Sequence, residues 1–88
     1  MQERSVRITN QLGMHARPAA EFVKLADRFQ AEIQIAKDGL EVNGKSIMGV
    51  LMLAAEKGSE VIIRGVGNDA GEAVDALADL VHRGFGEG

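Results

Sequence analysis

The sequence predicts an α+β protein in which a mostly antiparallel, four-stranded sheet has one face in water and the other covered by three helices, in the order β-α-β-β-α-β-α. Three observations lead to this prediction. Short segments alternate apolar and polar residues, longer segments repeat apolar residues at three- and four-residue steps, and the dipeptide Asp38-Gly39 is a hairpin turn signal. Because alternating strands bury only one face, the sheet is expected to form one of two layers, an open-faced sandwich.

The first two elements are a strand over Ser5–Thr9 and a helix that begins at Ala16. In the strand, Val6 and Ile8 point to the same side, which is typical of a half-buried strand. Residues 10–13 form the connection. The helix is predicted from apolar residues at helical spacing, which are Ala19, Phe22, Val23, Ala26 and Phe29.

The next two elements are strands joined as a hairpin. Apolar side chains alternate with Glu32 and Gln34 along the first of them. Asp38-Gly39 then provides the turn, and Leu40 and Val42 continue the alternation on the returning strand. The apolar positions of the first strand are Ala31, Ile33 and Ile35.

The second helix is predicted over residues 47–55, after a turn at 43–46. Lys57 and Gly58 are read as its end, since a cation in the last turn and a following glycine are common there. The fourth strand covers residues 60–66. The helix residues expected to pack inward are Val50, Leu53 and Ala54.

The third helix has the clearest pattern. Asn68 or Asp69 is the expected cap, Glu72 completes a capping-box pair with Asp69, and the helix continues until Gly84. The glycine-rich tail, residues 84–88, is expected to fray. With 88 residues and no linker, the chain is predicted to be a single domain over 1–88. The apolar stripe of this helix is Ala70, Ala73, Val74, Leu77, Leu80 and Val81.

Composition excludes several classes of function. The net charge of −3 and the scarcity of aromatic residues, all of them Phe, argue against nucleic-acid binding. The absence of cysteine removes disulfides, thiolate metal sites and thiol chemistry, and no acidic pair has a metal-ligand spacing, so neither metal nor cofactor is expected. No apolar run is long enough for membrane insertion and no leader is visible, so the cytoplasm is the expected location.

His15 is the one side chain whose position predicts chemistry. It precedes the first turn of the first helix, where unpaired backbone N–H groups and the helix dipole favour an anion. Arg17 adds a guanidinium that matches phosphate geometry, and Pro18 fits the first helical turn. This positive environment favours an uncharged ring, whose nitrogen could act as the nucleophile toward a phosphoryl group. The same residues also fit an ordinary polar cap with Arg17 paired to Glu21, and periodicity does not separate the two interpretations.

Two separated motifs distinguish the phosphoryl site from the ordinary polar cap at His15. The stretch GMHARPAA at residues 13–20, followed by GKSIMGVL at residues 44–51, resembles the HPr family of histidine-containing phosphocarriers of the bacterial phosphotransferase system, over essentially the whole chain. The resemblance implies a sheet order of 1-4-2-3. It also implies that His15 takes a phosphoryl group on Nδ1 from phospho-enzyme I and passes it to an IIA-type protein, with Arg17 steadying the group, so the chain would be a carrier in a phosphotransferase chain rather than an autonomous enzyme.

Ser46 carries two interpretations. It is an N-cap candidate for the second helix, as any serine before an apolar helix would be. The resemblance adds that Ser46 is a regulatory phosphorylation site for an HPr kinase/phosphorylase. Negative charge at a helix N-terminus is tolerated, so such a mark is expected to act on partners rather than on the fold.

A docking surface is predicted beside His15. If Val50 and its neighbours pack inward, an exposed apolar patch remains, made of Ile47, Met48 and Leu51. Lys24 belongs with Arg17 and Arg28 to a basic stripe on the first helix that could steer an acidic partner, although a solvated face containing Glu21 fits as well. Nothing in the sequence indicates an obligate dimer, so a monomer is expected.

The branch of the family stays open at this stage. The sequence GFGE at 84–87 and LML at 51–53 resemble the nitrogen-related carrier, whereas the Ser46 motif resembles the kinase-regulated sugar-transport members. The alternative function is therefore a regulatory adaptor of the nitrogen-related branch that acts mainly by protein binding.

Overall fold

The computed structural model describes residues 1–86 and confirms the predicted order of elements. The three helices are α1 (Ala16–Ala26), α2 (Ile47–Met52) and α3 (Ala70–His82). The strands are β1 (Gln2–Arg7), β2 (Glu32–Lys37), β3 (Leu40–Asn43) and β4 (Glu60–Val66), and a short 3-10 turn, Gly84–Gly86, follows α3.

The four strands form one antiparallel sheet in the order β1-β4-β2-β3, as the family resemblance implies. The register places Val6 opposite Val61, and Ile35 opposite both Ile63 and Val42. Because side chains alternate along a strand, these residues share one face of the sheet. That face is the one the helices cover.

The core lies between this face and the helices. Ile35 and Ile63 on the sheet are fully buried, and so are Phe22 on α1 and Leu77 on α3. The α3 stripe predicted from the sequence is buried along its whole length. A chain of this size has little apolar surface to spare, so these contacts provide most of its stability.

The opposite face of the sheet is open and charged. Arg64 lies in its centre and donates hydrogen bonds to Glu3, at 2.6 Å, and to Glu41. These two carboxylates, Glu3 first, raise the pKa of Arg64. Ion pairs this exposed add little to the free energy of folding, and they leave the face polar.

The first strand begins and ends earlier than predicted. Ile8 is buried, yet it lies beyond β1, because its backbone bonds to a loop: its N–H donates to Ser59 O at 2.8 Å and its carbonyl accepts from Gly58 N at 2.8 Å. The predicted alternation was right for burial. The strand ends at Arg7 because β4, the strand it pairs with, begins at Glu60, and the residues before Glu60 form a turn.

The second helix is also shorter than predicted. It ends at Met52, and Ala54 has a φ of +50°, which stops helical geometry. Ala54 is exposed rather than packed inward, and Ala55 is buried in its place. Lys57 and Gly58 therefore do not end the helix. Instead, Lys37 Nζ lies 3.3 Å from the carbonyl oxygens of Leu53 and Ala54, a cation at a helix C-terminus.

The predicted capping box at α3 is wrong. Asp69 is the N-cap residue, but its side chain makes no capping bond to the helix in the described residues. Its carboxylate instead accepts the backbone N–H groups of Gln30 and Ala31, both at 2.8 Å. Asp69 therefore ties α3 to the segment that follows α1, and Glu72 has no share in this contact. Phe29, predicted within α1, lies in that same segment beyond the helix end.

The Asp69 contact predicts acid-sensitive stability. The Gln30 N–H, then that of Ala31, hold the pKa of Asp69 below its usual value, against the opposing effect of desolvation. A depressed folded-state pKa contributes stability above the unfolded value, about pH 4, and that stability is lost as the pH falls through the folded value. We expect Asp69→Asn to flatten the acid limb of the unfolding free energy measured by urea titration from pH 7 down to about pH 2. Asp27→Asn, at the exposed residue ending α1, is the control; an equal flattening there would contradict the assignment.

The glycine-rich tail does not fray where the structure describes it. Phe85 is buried and has a φ of +58°, with glycines of positive φ on both sides. Its burial against the body of the protein stabilises a backbone conformation that a non-glycine residue rarely adopts. Residues 87–88 of the predicted tail lie outside the described residues.

Candidate functional site

His15 is the N-cap residue of α1. Its backbone is extended, with φ −90° and ψ −168°, and its carbonyl accepts the first helical hydrogen bond from Ala19 N at 2.9 Å. The first N–H groups of a helix have no acceptor one turn earlier within the helix. Pro18 has no N–H, so in α1 these groups are the N–H groups of Ala16 and Arg17. The imidazole side chain is half-buried and makes no capping bond to the helix in the described residues. The N-terminus of a helix in general favours an anion, because its N–H groups and its dipole are positive there.

Arg17 is exposed in the first turn of α1, two residues after His15. It lines a shallow depression together with Glu21, Phe85 and Gly86. The structure gives no Arg17–Glu21 ion pair among the described residues, and Glu21 lies instead 3.7 Å from Lys24 Nζ. Arg17 is thus exposed at the surface in the first turn of α1.

The connection before α1 fixes where His15 lies. Gly13 has a φ of +69°, and a methyl group there would lie 2.4 Å from Ala55 O. Met14 N donates to the same Ala55 oxygen at 2.8 Å, and the Met14 side chain is buried in the core rather than at the rim of the site. The backbone leading into His15 is therefore packed directly on the segment after α2.

Asn10 lies in the same connection, and the sequence pattern does not indicate a structural role for it. It is the buried polar residue of the described chain, 3% exposed, and its Nδ2 donates to Gly13 O at 2.8 Å. Polar residues in a connection are usually solvated, so the sequence pattern gives no reason to expect a buried Asn10. The available signal was an Asn placed three residues before a Gly, a spacing suited to closing a turn.

Ser46 caps α2 as predicted. Its Oγ accepts a hydrogen bond from Gly49 N at 3.1 Å, and the residue is half-buried. Removing such a cap costs about 1 kcal/mol. The Ser46 hydroxyl thus has a structural role as the N-cap of α2.

The predicted apolar patch is present with altered membership. Ile47 and Met48 are 44% and 72% exposed, whereas Leu51 is half-buried against the core. Met52, 67% exposed, takes the place of Leu51. Its spacing of four residues from Met48 was the missed signal, because residues at that step share a helix face. We call Ile47, Met48 and Met52 the α2 patch.

Lys24 lies on the exposed side of α1, with its ammonium near Glu21. Arg28 lies beyond the helix end, so the predicted basic stripe does not run the length of a continuous helix. Lys24 is accessible to a partner, but an intrahelical carboxylate already balances its charge.

Among the described residues, no group of three or more His, Asp or Glu side chains could hold a metal ion. In the same part of the chain, none of the helices has the length and apolar character needed to traverse a bilayer.

Comparison with known proteins places this geometry in a family. Residues 2–83 match the family model described as the PTS HPr component phosphorylation site. The phosphocarrier protein HPr of Neisseria meningitidis serogroup A is 46% identical over 88 residues, which are 100% of this chain and 99% of that protein. A crystal structure of HPr from Thermoanaerobacter tengcongensis superimposes with a TM-score of 0.96 at 44% identity, covering 100% of this chain and 99% of the other.

Another crystal structure from Thermoanaerobacter tengcongensis, described as an HPr dimer, matches with a TM-score of 0.79 at 45% identity, covering 99% of this chain and 100% of that one. The fold, the position of the histidine at a helix mouth and the full-length match agree with one another. The chain belongs to the HPr family of phosphocarrier proteins of the phosphotransferase system.

Proposed function

We propose that the protein carries a phosphoryl group on His15, accepted from phospho-enzyme I and passed to an IIA-type protein. The observation that supports this most directly is the placement of a half-buried imidazole at the N-terminus of α1, with Arg17 exposed in the first turn. A helix N-terminus and a guanidinium together suit a dianionic phosphoryl group.

The transfer step exchanges one nitrogen–phosphorus bond for another. The lone pair of an uncharged His15 nitrogen, Nδ1 in this proposal, attacks phosphorus as the bond to the donor imidazole of enzyme I breaks. The donor ring leaves neutral, with its proton on the other nitrogen, and His15 becomes the phosphorylated ring. Because the bond formed resembles the bond broken, transfer is readily reversible, and the acceptor can draw the group onward by the same step.

The protein's contribution to this step is positioning and charge stabilisation. In this proposal the N–H groups of Ala16 and Arg17, at the start of α1, and the Arg17 guanidinium stabilise the charge that develops on the transferring oxygens. Fixed donors of this kind need little reorganisation during transfer. The half-buried ring also has one side held by the protein and another side accessible to a partner.

Donor and acceptor both have to dock at this end of the molecule. The α2 patch offers exposed apolar side chains, two of them methionines that adapt to different surfaces, and Lys24 lies on the neighbouring helix. A carrier that shows the same face to two partners in turn suits a monomer. Because phosphoenolpyruvate is a cytoplasmic metabolite, a carrier charged from it works in the cytoplasm.

The function is tested by incubating the full chain with enzyme I and phosphoenolpyruvate. The expected product carries one phosphate that is labile in acid, stable in alkali and located on His15 by peptide mapping. His15→Ala should take no label, whereas His82→Ala, at the exposed histidine ending α3, should take label normally. Label on the His15→Ala variant would refute the carrier proposal. Binding of IIA-type proteins without labelling would favour the adaptor of the nitrogen-related branch.

Regulation at Ser46 is a separate proposal, in which an HPr kinase/phosphorylase transfers phosphate from ATP to the Oγ. The hydroxyl caps a helix N-terminus, where added negative charge is compatible with the fold. Its effect would fall on partners that use the adjoining α2 patch.

Two variants separate the structural role of Ser46 from the regulatory one. We expect Ser46→Ala to lower the free energy of unfolding by about 1 kcal/mol, because Gly49 N–H loses its acceptor, with transfer from enzyme I unchanged. Ser46→Asp keeps a capping oxygen, so stability should be retained while transfer slows through the added charge. Urea unfolding and transfer kinetics measure both effects. Unchanged kinetics for Ser46→Asp would place any Ser46 mark outside the transfer reaction.

A further inference from the structure

We propose that Asn10 is a positioning residue for phosphoryl transfer, which acts by fixing the backbone that delivers His15 to the mouth of α1. This inference rests on the carrier function proposed above. Asn10 lies five residues before His15 and bonds to the Gly13 backbone between them, so the effect proposed for it is on the position of His15.

The first step of the argument is the burial of Asn10. A buried amide side chain loses its hydration and is favourable only where the protein supplies partners. Asn10 is 3% exposed, and its Nδ2 donates to Gly13 O at 2.8 Å while its own carbonyl accepts from Gly13 N at 3.2 Å. Side chain and backbone of one residue therefore close the same turn.

The second step is the carbonyl that Asn10 holds. Gly13 O accepts from Asn10 Nδ2 and also from His15 N, at 3.0 Å. The His15 bond spans only two residues, as in a γ-turn, so it lies within the segment whose position is in question. The bond from Asn10 comes from outside residues 13–15, and it is the bond that fixes the direction of the Gly13 carbonyl.

The third step links that direction to His15. The peptide that contains Gly13 O also contains Met14 N, which donates to Ala55 O at 2.8 Å. A peptide group is planar, so fixing its oxygen also fixes its N–H. Gly13, with a φ of +69°, has the rotational freedom to let this peptide turn if the oxygen is released. Loss of the Asn10 bond would then loosen the Met14 contact immediately before His15.

The consequence for transfer is quantitative. A misplacement of about 1 Å between reacting groups can slow a reaction by about 100-fold. The Asn10 bonds named above do not involve the α2 patch, where docking is proposed. We therefore expect Asn10→Ala to lower the saturating rate of transfer from phospho-enzyme I by about 10- to 100-fold, with the KM for that donor unchanged within about twofold.

The matched control is Gln11→Ala, at the next residue of the same connection. Gln11 is exposed, and its side chain makes a single long contact, 3.5 Å to Lys57 Nζ, in the described residues. This variant should transfer at the rate of the natural sequence. Amide hydrogen exchange of Met14 N–H, followed by NMR on the unphosphorylated protein, should accelerate in Asn10→Ala and stay unchanged in Gln11→Ala.

A second variant covers the case in which Asn10→Ala does not fold. Asn10→Ser retains a hydroxyl donor suited to turns but shortens the side chain, so it should fold and still transfer more slowly than the natural sequence. Folded variants that transfer at the natural rate would overturn the proposal, as would a raised KM with an unchanged saturating rate. If the natural protein takes no phosphate at all, the carrier function fails. The positioning role is then judged on Met14 exchange alone, where unchanged protection would reject it.

Discussion

Replacing Arg17 with glutamate should slow phosphoryl transfer to His15 by on the order of 10²–10³-fold while leaving the fold intact. The substitution removes a guanidinium beside the helix mouth and places a carboxylate where the transferring phosphoryl group needs positive charge. Arg17 is exposed, and no ion pair or hydrogen bond of its side chain is seen within residues 1–86, so the protein loses no packing. Transfer kinetics from phospho-enzyme I measure the slower transfer, and urea unfolding tests whether the fold is intact.

Net charge alone could produce a slower encounter, so the control must carry the same change. Arg28→Glu alters the charge by the same amount on the exposed chain just beyond the other end of α1. Steering by overall charge would slow both variants at low donor concentration and would disappear at high salt. A local role for Arg17 predicts a defect at saturating donor that salt does not relieve. Equal saturating rates for the two variants would remove Arg17 from the mechanism.

Much of the fold was predictable because its elements are amphipathic. The stripe of α3 and the alternation of Val61 and Ile63 in β4 each bury one face of a local element, and the exposed Asp38-Gly39 turn joins β2 to β3 as a hairpin. A pattern of this kind reports burial directly, since each side chain faces either core or solvent. Pattern could not order the strands, because several two-layer topologies share the same string of elements. The order came from the family resemblance.

The misplaced boundaries have tertiary causes. Ile8 is as buried as a strand residue, but its hydrogen-bond partners are in the loop at Gly58 and Ser59. The second helix ends before its apolar run does, because the chain turns at Ala54 to bring Ala55 beneath the His15 loop. Both outcomes depend on residues roughly 40 or more positions away, a distance that local periodicity does not sample.

In the candidate site, too, residues placed by local sequence rules could be predicted, whereas residues placed by tertiary packing could not. His15, Arg17 and Pro18 could be placed from local rules, because helix N-termini have a sequence signature. Asn10 and Met14 could not, since the burial of each depends on how the loop packs against Ala55 and the core. The missed residues are thus buried in the loop, and the predicted residues lie at the N-terminus of α1.

Gly13→Ala should be the most destabilising single methyl addition in this loop. At a φ of +69° an alanine pays left-handed backbone strain of about 1–2 kcal/mol, and its Cβ would lie 2.4 Å from Ala55 O and 2.8 Å from the Glu56 Cα. Both obstacles are backbone atoms, which cannot move aside like a side chain. Relief would require separating the loop from the segment after α2, which breaks the Met14 N–H bond to Ala55 O. We expect a loss of at least about 3 kcal/mol in the free energy of unfolding, a large share of the total for a small domain.

Gly39→Ala separates the two causes. Gly39 also has a positive φ, +86°, but a Cβ there would meet no atom within 4 Å. It should therefore show the backbone strain alone, about 1–2 kcal/mol, and the difference between the two variants measures the contact with Ala55. Equal losses would mean that the His15 loop is not tightly packed on the segment after α2. A larger loss for Gly13→Ala, with transfer impaired even under conditions where the variant stays folded, would show that the contact that stabilises the loop also sets the position of His15.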